Sequence, residues 1–268
     1  IVLVYHSKAY LWLILLARIL RRFRIILEVE ELYADQRPTS LISRRLEIFA
    51  LRRADGYIFS TRCLSGLVNR KGAPELELLG TYEVPAMVSP AVLGDGVHVV
   101  YAGVIDRHKG AFDLLECAPY LSEQFHLHII GFGSEDDISA LIDALEQLRG
   151  QVPCKVTYDG LLHGSDLRAF LQACRVGIVA QASGSTFSNT SFPSKVLVYM
   201  SNGLVSVSSR FKALVESEVG DSIVYRTSDS PRALARAIEE AANTDLDTRE
   251  CVSILDSRFR EEAYRFFY

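Results

Sequence analysis

Short runs rich in β-branched residues alternate with segments of helical periodicity along most of the chain. The predicted strands form two series, 1–5, 24–31 and 56–60, then 98–104, 127–133, 155–160 and 176–180. Helices are predicted between them, over 9–23, 40–53, 61–71, 109–121, 135–149 and 164–174. Strands separated by helices of about 10–15 residues are typical of βαβ units, whose right-handed crossovers build parallel sheets. The pattern therefore predicts an α/β fold with two parallel sheets.

The segment TYEVPAMVSPAVLGDG (81–96) separates the two series. It is rich in proline and glycine and has no regular period, which is typical of a linker. A length of 268 residues suits two domains, since domains usually have about 100 to 200 residues. We predict an N-terminal domain over 1–84 and a C-terminal domain over 85–247. The last helix, 248–268, contains several aromatic residues and is expected to pack back on the first domain.

The chain opens directly with a strand at Ile1, so we expect that its N-terminal domain is incomplete. The apolar run inside 9–23 is shorter than the roughly 20 residues of a membrane span, and it lacks the flanks of a secretory signal. A net charge of −4 gives no positive field for a nucleic acid. Five cysteines without metal-site or disulfide spacing favour a reducing, cytoplasmic compartment.

Three predicted strands of the second series end in glycines, in YAGVIDRHKG (101–110), HIIGFGSEDD (128–137) and TYDGLLHGSDL (157–167). Ligands of open α/β sheets bind beyond the carboxyl ends of the strands. Any one of these glycines is more often a simple turn, and Gly131 and Gly133 lack the third glycine of a dinucleotide fingerprint. The three ends together indicate a binding edge.

The stretch NTSFPSKVLVYMSNG (189–203) begins a helix with small polar residues. Pro193 suits the first helical turn, with Ser191 or Phe192 as the expected cap. The backbone N–H groups around Ser194 and Lys195 would then form an anion site. Taken alone, the stretch is more often a well-capped helix with no ligand.

Taken in order, these motifs resemble the nucleotide-sugar-binding half of a GT-B glycosyltransferase of the group 1, family 4 type, as in bacterial polysaccharide synthesis. The resemblance runs from His98 to Ala242 and rests on the motifs YAGVIDRHKG, IIGFG, YDGLL, FPSKxLxYMxxG and VSVSS. It implies two Rossmann-like domains, of which the N-terminal one is partial. It also implies no cofactor and no metal ion, and we interpret Asp245-Leu246-Asp247 as a helix cap.

The resemblance implies that Lys109 meets the donor diphosphate. Val104 stands where the family usually has an arginine, and Arg107 is close enough in sequence to replace it. The other donor-binding positions that the resemblance implies are Gly103, Gly131, Gly133, Gly160, Leu161, Leu162, Asn189, Ser191, Ser194 and Lys195.

The family usually has two glutamates eight positions apart, and Thr190 and Val198 stand at those positions. Asn189 and Thr190 are candidates for neutral hydrogen bonds in their place. The implied function is retaining transfer of a sugar from a UDP- or GDP-sugar to a saccharide or lipid-linked acceptor. The alternative is a catalytically inactive nucleotide-binding subunit. A sugar-nucleotide epimerase would need carboxylates in the cleft that the sequence does not supply.

Glu30 and Glu31 end the strand RIILEVEE and are candidates to orient an acceptor hydroxyl or to act as a base, or else form a solvated strand end. His126 and His128 alternate as H-x-H, but without a visible third ligand a structural role is favoured. For the helix 9–23 and its arginines we favour a structural role in covering the sheet. The alternative is contact of this helix with the inner face of an anionic membrane.

Overall fold

Two separate parallel sheets organise the molecule. The computed structural model describes residues 1–36, 41–106, 110–179 and 190–268. The strands of the first sheet are β1 (Val2–Tyr5), β2 (Ile25–Val29), β3 (Gly56–Phe59) and β4 (Glu75–Glu77), in the order β1-β2-β3-β4. Those of the second are β5 (Val97–Ile105), β6 (Phe125–Gly133), β7 (Lys155–Tyr158), β8 (Val176–Val179), β9 (Val205–Ser209) and β10 (Val224–Arg226). All the strand pairs described are parallel, so the predicted α/β class is confirmed.

Helices connect nearly all of these strands. They are α1 (Lys8–Leu20), α2 (Tyr33–Gln36), α3 (Leu41–Leu51), α4 (Arg62–Val68), α5 (Ala111–Cys117), α6 (Glu135–Leu148), α7 (Gly164–Gln172), α8 (Lys195–Ser201), α9 (Lys212–Val215), α10 (Pro231–Asn243) and α11 (Thr248–Phe267). The sequence pattern missed β4 and β10. Each has three residues, too few for an alternation to show, and each forms by pairing with the neighbouring strand.

The second sheet has a topological switch point. Its strand order is β10-β9-β8-β5-β6-β7, so the chain proceeds from β5 to β6 on one side and places β8 on the other. Strands β5 and β6 pair along their whole length, whereas β5 and β8 pair only at Val99 with Val176 and at Val100 with Gly177. Beyond these residues β5 and β8 diverge. Ligands of doubly wound sheets bind in the crevice that such a divergence creates.

Two apolar layers enclose the second sheet. One contains buried residues of α5, α6 and α10, and the other contains buried residues of α7, α8 and α11. Burial of apolar surface at about 25 cal/mol per Å² is the main stabilising term for such layers. This packing holds α8 against the sheet beside the point at which β5 and β8 diverge.

The C-terminal helix α11 packs on both sheets. Its N-terminal half places Val252 and Leu255 in the core beside α8, and further along Phe259 and Phe266 lie against Ile26, Ile58 and Leu76 of the first sheet. Asp247 caps the helix, as predicted, because its side chain accepts a hydrogen bond from Glu250 N at 2.9 Å. The domain boundaries at residues 84 and 247 stay predictions.

We expect Phe259→Ala to lower the free energy of unfolding by about 2 kcal/mol. Phe259 is half-buried and contacts both cores, including Tyr82 in an edge-on arrangement with ring centroids 5.7 Å apart, and truncation of a fully buried phenylalanine costs about 3–5 kcal/mol. Urea denaturation measures the effect. Tyr268→Ala is the control, since Tyr268 is 94% exposed; an equal loss in both variants would contradict the packing role of Phe259.

Candidate functional site

Glycines bring the carboxyl ends of β5, β6 and β7 into backbone contact. Gly103 and Gly131 are partners in the β5–β6 register, and Gly131 N donates a hydrogen bond to Gly160 O at 2.9 Å. A Cβ atom at Gly131 would overlap the carbonyl oxygen of Gly103, and the φ of +147° there is one that favours glycine. Gly133 lies beside Ile105 at the end of the same ladder. The predicted binding edge is therefore a strip of closely packed backbone, in which Gly131 is buried and Gly103, Gly133 and Gly160 are half-buried.

Lys195 extends from the start of α8 over this strip. A Cβ atom at Gly103 would overlap the Lys195 Nζ atom, and Nζ lies 4.8 Å from the centroid of the Tyr101 ring, within range of a cation–π contact. Tyr101 donates a hydrogen bond to Val104 O at 2.7 Å, and burial raises the pKa of Tyr101 to about 12. The ammonium group of Lys195 therefore lies against the neutral ring of Tyr101 and against the backbone of Gly103, near the end of β5.

Tyr199 fills the divergence between β5 and β8. Its hydroxyl accepts a hydrogen bond from Ala102 N at 2.9 Å and donates one to Ile178 O at 3.4 Å, in place of a direct bond between the strands. Its ring occupies the space that a side chain at Gly177 would need. Burial raises the pKa of Tyr199, so the hydroxyl keeps its proton. The Tyr199 side chain thus forms a wedge between β5 and β8. Tyr199 and Lys195 lie four residues apart on one face of α8, so the wedge fixes the position of Lys195.

The start of α8 differs from the prediction. Phe192 is buried in the core beside α8, and Ser194, already helical with φ −53° and ψ −23°, directly precedes the helix. The expected cap at Ser191 or Phe192 is therefore wrong. Within the described residues, the Ser194 side chain caps none of the helix N–H groups and is exposed. Core packing of Phe192 decides where the helix begins.

Thr190 connects the two sheets across the cleft. It is buried, its hydroxyl donates a hydrogen bond to Asp35 Oδ2 at 3.3 Å, and its carbonyl oxygen accepts one from Thr61 Oγ1 at 3.2 Å. Asp35 is also bonded to Arg44 Nε at 2.9 Å. Val198, at the second glutamate position, is 46% exposed and lines a groove of about 290 Å³ with residues of α7 and the linker.

Glu30 and Glu31 follow β2 at the carboxyl end of the first sheet. Glu30 Oε2 accepts a hydrogen bond from the Tyr5 hydroxyl at 3.0 Å. Burial, together with this bond to Glu30, raises the pKa of Tyr5 to about 12, and burial together with the charge of Glu30 raises the pKa of Glu31. The Glu30 carbonyl accepts from Ser60, whose neighbour Thr61 bonds to Thr190. Glu30 and Glu31 therefore lie near the hydrogen bond between Thr61 and Thr190 that connects the two parts of the chain.

The structure brings five of the predicted donor-binding residues to one edge, namely Gly103, Gly131, Gly133, Gly160 and Lys195. Leu161 is exposed and Leu162 is half-buried after Gly160. Arg107, Lys109 and Asn189 lie outside the described residues, so their roles stay predictions. The sequence analysis missed Tyr199, Asp35 and Thr61. Gly177 inside a buried strand was the available signal for Tyr199, because such a glycine marks a close approach.

Two Rossmann-like parallel sheets in one chain are the architecture of the GT-B class. A family model described as glycosyl transferases group 1 matches residues 96–244, and the chain belongs to this family. It is a glycosyltransferase by family. A search of curated proteins finds no match. Within the described residues, no helix combines the length and apolarity that a bilayer span needs.

Several solved structures share the fold. A glycosyltransferase from Rickettsia africae is similar with a TM-score of 0.69 and 15% identity, over 98% of this chain and 76% of that one. HepE from Anabaena, solved with UDP-glucose, is similar with a TM-score of 0.67 and 14% identity, over 98% and 77%. The lipopolysaccharide outer core galactosyltransferase WaaB is similar with a TM-score of 0.64 and 15% identity, over 99% and 74%. These likenesses establish the GT-B fold.

We expect Tyr199→Phe to lower the free energy of unfolding by about 1–3 kcal/mol. The change leaves the buried Ala102 N–H and Ile178 carbonyl without their shared partner, and an unsatisfied buried polar group costs about this much. Denaturant unfolding measures the loss. Tyr120→Phe is the matched control, because its hydroxyl belongs to a side chain that is 46% exposed. A Tyr199→Phe variant as stable as Tyr120→Phe would contradict the wedge.

Proposed function

We propose that the chain is a retaining glycosyltransferase of the hexosyltransferase type that moves a sugar from a UDP- or GDP-sugar to a lipid-linked or saccharide acceptor in surface polysaccharide synthesis. The observation that carries this proposal is the Lys195 ammonium group over Gly103 at the switch point. A diphosphate in the crevice would meet this cation beside the half-buried backbone of Gly103, Gly133 and Gly160. HepE was solved with UDP-glucose, which favours UDP over GDP as the first donor to test.

The proposed chemistry is chiefly electrostatic. The bond between the sugar's anomeric carbon and the diphosphate oxygen breaks, and negative charge develops on the diphosphate. The acceptor hydroxyl oxygen forms the new bond to that carbon and gives its proton to a nearby carboxylate or to the departing diphosphate. Preorganised cations stabilise such charge effectively in a site with little water. Among the described residues, we assign this task to Lys195. Arg107 and Lys109 are predicted to stabilise the same charge. Added Mg²⁺ is therefore not required for donor binding in this proposal.

The acceptor would enter from the first sheet. Glu30 and Glu31 are the proposed groups that orient its hydroxyl, since both follow β2 beside the interdomain contact. The raised pKa of Glu31 brings its carboxyl closer to the range in which a general base exchanges protons. Asn189 and Thr190 stay candidates for neutral hydrogen bonds to the transferred sugar.

One observation favours the alternative, a nucleotide-binding subunit without transfer activity. Thr190 and Val198 replace the two glutamates, and the Thr190 hydroxyl is engaged by Asp35. The two functions differ in turnover. Conversion of UDP-sugar to UDP in the presence of acceptor supports the enzyme, whereas donor binding without any turnover supports the subunit.

We expect Lys195→Ala and Gly103→Ala each to weaken UDP-sugar binding about 10- to 100-fold. The first removes a charge-assisted bond worth about 1.5–3 kcal/mol. The second adds a methyl group where Lys195 Nζ lies and displaces the ammonium group. Isothermal titration calorimetry with UDP, UDP-glucose and GDP-mannose measures the affinity.

Gly66→Ala is the matched control for this test. A Cβ atom there would meet nothing within 4 Å, and Gly66 is exposed on α4. Its affinity for the donor is expected to equal that of the wild type. Unchanged donor affinity in both Lys195→Ala and Gly103→Ala would place the diphosphate elsewhere, and folded wild-type chain that binds none of the nucleotides would remove both candidate functions.

We also propose that α1 contacts the cytoplasmic face of an anionic membrane, where lipid-linked acceptors reside. Its inner side carries the buried Leu11, and its outer side exposes apolar residues. These are Leu13, Leu16, Ile19 and Leu20, each more than 60% exposed. Exposed arginines follow the helix at positions 21, 22 and 24. An apolar helix face beside basic residues is the arrangement that binds anionic lipid surfaces.

We expect Leu16→Glu to reduce co-sedimentation of the chain with phosphatidylglycerol vesicles. The substitution places a charge on the apolar face that would enter the lipid, and added salt should weaken the wild-type interaction because the arginines contribute. Val92→Glu is the control, since it adds the same charge at a linker residue that is 99% exposed. Equal sedimentation of the two variants would rule out α1 as the contact.

A further inference from the structure

Three histidines meet on the face of the second sheet that α7 covers. His98 lies on β5, His126 and His128 lie on β6, and His98 is the register partner of His126. One ring nitrogen from each lies within 4.8 Å of the others. His98 and His128 are 6% and 2% exposed, and His126 is half-buried. Phe170 of α7 packs edge-on against His128. The sequence pattern showed only H-x-H, and the third histidine comes from the neighbouring strand.

The outer partners of two of these rings determine which nitrogens face inward. His98 Nε2 is 3.2 Å from Gly94 O, and His128 Nδ1 is 3.0 Å from Asp159 Oδ2. A carbonyl oxygen and a carboxylate only accept, so both ring nitrogens donate. The other nitrogens, His98 Nδ1 and His128 Nε2, are 3.0 Å apart. With both outer nitrogens donating and no further proton on either ring, these are two lone pairs that face each other, an arrangement that a cation between them would stabilise.

The third ring follows the same rule. His126 Nε2 is 3.1 Å from Thr157 Oγ1, and the Thr157 hydroxyl donates its proton to Asp159 Oδ2 at 3.0 Å. Because a hydroxyl has one proton, its oxygen accepts from His126 Nε2 and leaves Nδ1 of His126 as a lone pair.

We propose that His98, His126 and His128 bind one divalent transition-metal ion of the zinc class. Neutral imidazole is a preferred ligand of zinc, with bonds of about 2.0–2.1 Å and tetrahedral geometry. Such bonds place two ligand nitrogens about 3.3 Å apart, so His98 and His128 need to separate slightly, and the nitrogen of His126, which lies within 4.8 Å of theirs, needs to move closer. A carboxylate that accepts the outer N–H of a metal-bound histidine is the common supporting arrangement, and Asp159 fills it. Solvent completes the fourth position on the half-buried side of His126.

The site is structural, since it lies away from the proposed donor edge. His98 precedes Gly103 by five residues on one strand, about 17 Å at 3.3 Å per residue. The ion would join β5 to β6 directly, and through Asp159 and Gly94 it would also hold the end of β7 and the linker. Asp159 precedes Gly160, whose carbonyl accepts from Gly131. The ion would thereby fix the register on which the glycine strip depends.

Zinc titration of the chelator-stripped, full-length chain tests the proposal. Competition with a chromophoric chelator is expected to give one Zn²⁺ per chain, and Co²⁺ is expected to give the visible absorption of a nitrogen-ligated tetrahedral ion. We expect His126→Gln to weaken Zn²⁺ binding more than tenfold and Asp159→Asn to weaken it about 10- to 100-fold. His163→Gln is the matched control, because His163 is exposed at the start of α7 and its loss should leave the affinity unchanged.

Two outcomes of the titration would overturn the proposal. One is a folded wild-type chain that binds no Zn²⁺ beyond what the surface histidine His163 accounts for. The other is a His126→Gln variant, folded by circular dichroism, that binds Zn²⁺ as tightly as the wild type. Nitrogen NMR of the imidazoles in saturating Zn²⁺ gives an independent readout. A proton shared between His98 and His128 under these conditions would mean that the proton, and not the metal ion, is the cation of the cluster. Zn²⁺ is also expected to raise the melting temperature of the wild type and not that of His126→Gln.

Discussion

The wedge that Tyr199 forms between β5 and β8 is the contact on which the arrangement of the site depends. A parallel sheet whose strands all pair has no crevice, and a divergence without a partner leaves buried N–H and carbonyl groups unsatisfied, at about 1–3 kcal/mol each. One hydroxyl satisfies both Ala102 and Ile178. The same helix turn that supplies it begins with Lys195. The interaction that keeps the sheet open therefore also places the cation at the opening.

Two kinds of contact hold the first sheet against this site. The helix α11 buries Phe259 and Phe266 on the first sheet while its own N-terminal half belongs to the second core. On the cleft side, the contact is polar and small, through Thr190, Asp35 and Thr61. Apolar contacts are non-directional, whereas hydrogen bonds need defined geometry. The apolar contacts of α11 therefore supply most of the free energy that holds the first sheet in place. The hydrogen bonds of Thr190 and Thr61 define how the strand ends of the two sheets are oriented.

The alternation of strands and helices was sufficient to predict both parallel sheets and their strands except β4 and β10, because the period of the pattern follows from backbone geometry. The glycine-rich strand ends were visible for the same reason. Tyr199 and His98 were not, since each acts on a strand that is distant in sequence and adjacent only through the sheet order. The cap at Ser191 or Phe192 was wrong, since the Phe192 side chain is buried in the core and Ser194 directly precedes the helix.

The histidine cluster and the glycine strip place different demands on the same three strands. At one end, β5, β6 and β7 approach so closely that a side chain at Gly131 would overlap the neighbouring backbone. Further back, β5 and β6 carry three imidazoles on one face, and one nitrogen of His98 lies 3.0 Å from one of His128. If both nitrogens carry lone pairs, their repulsion would act to separate β5 from β6 and so loosen the register that brings Gly103 beside Gly131. A bound ion would convert the strain into a cross-link, and the strand ends would then be held from both directions.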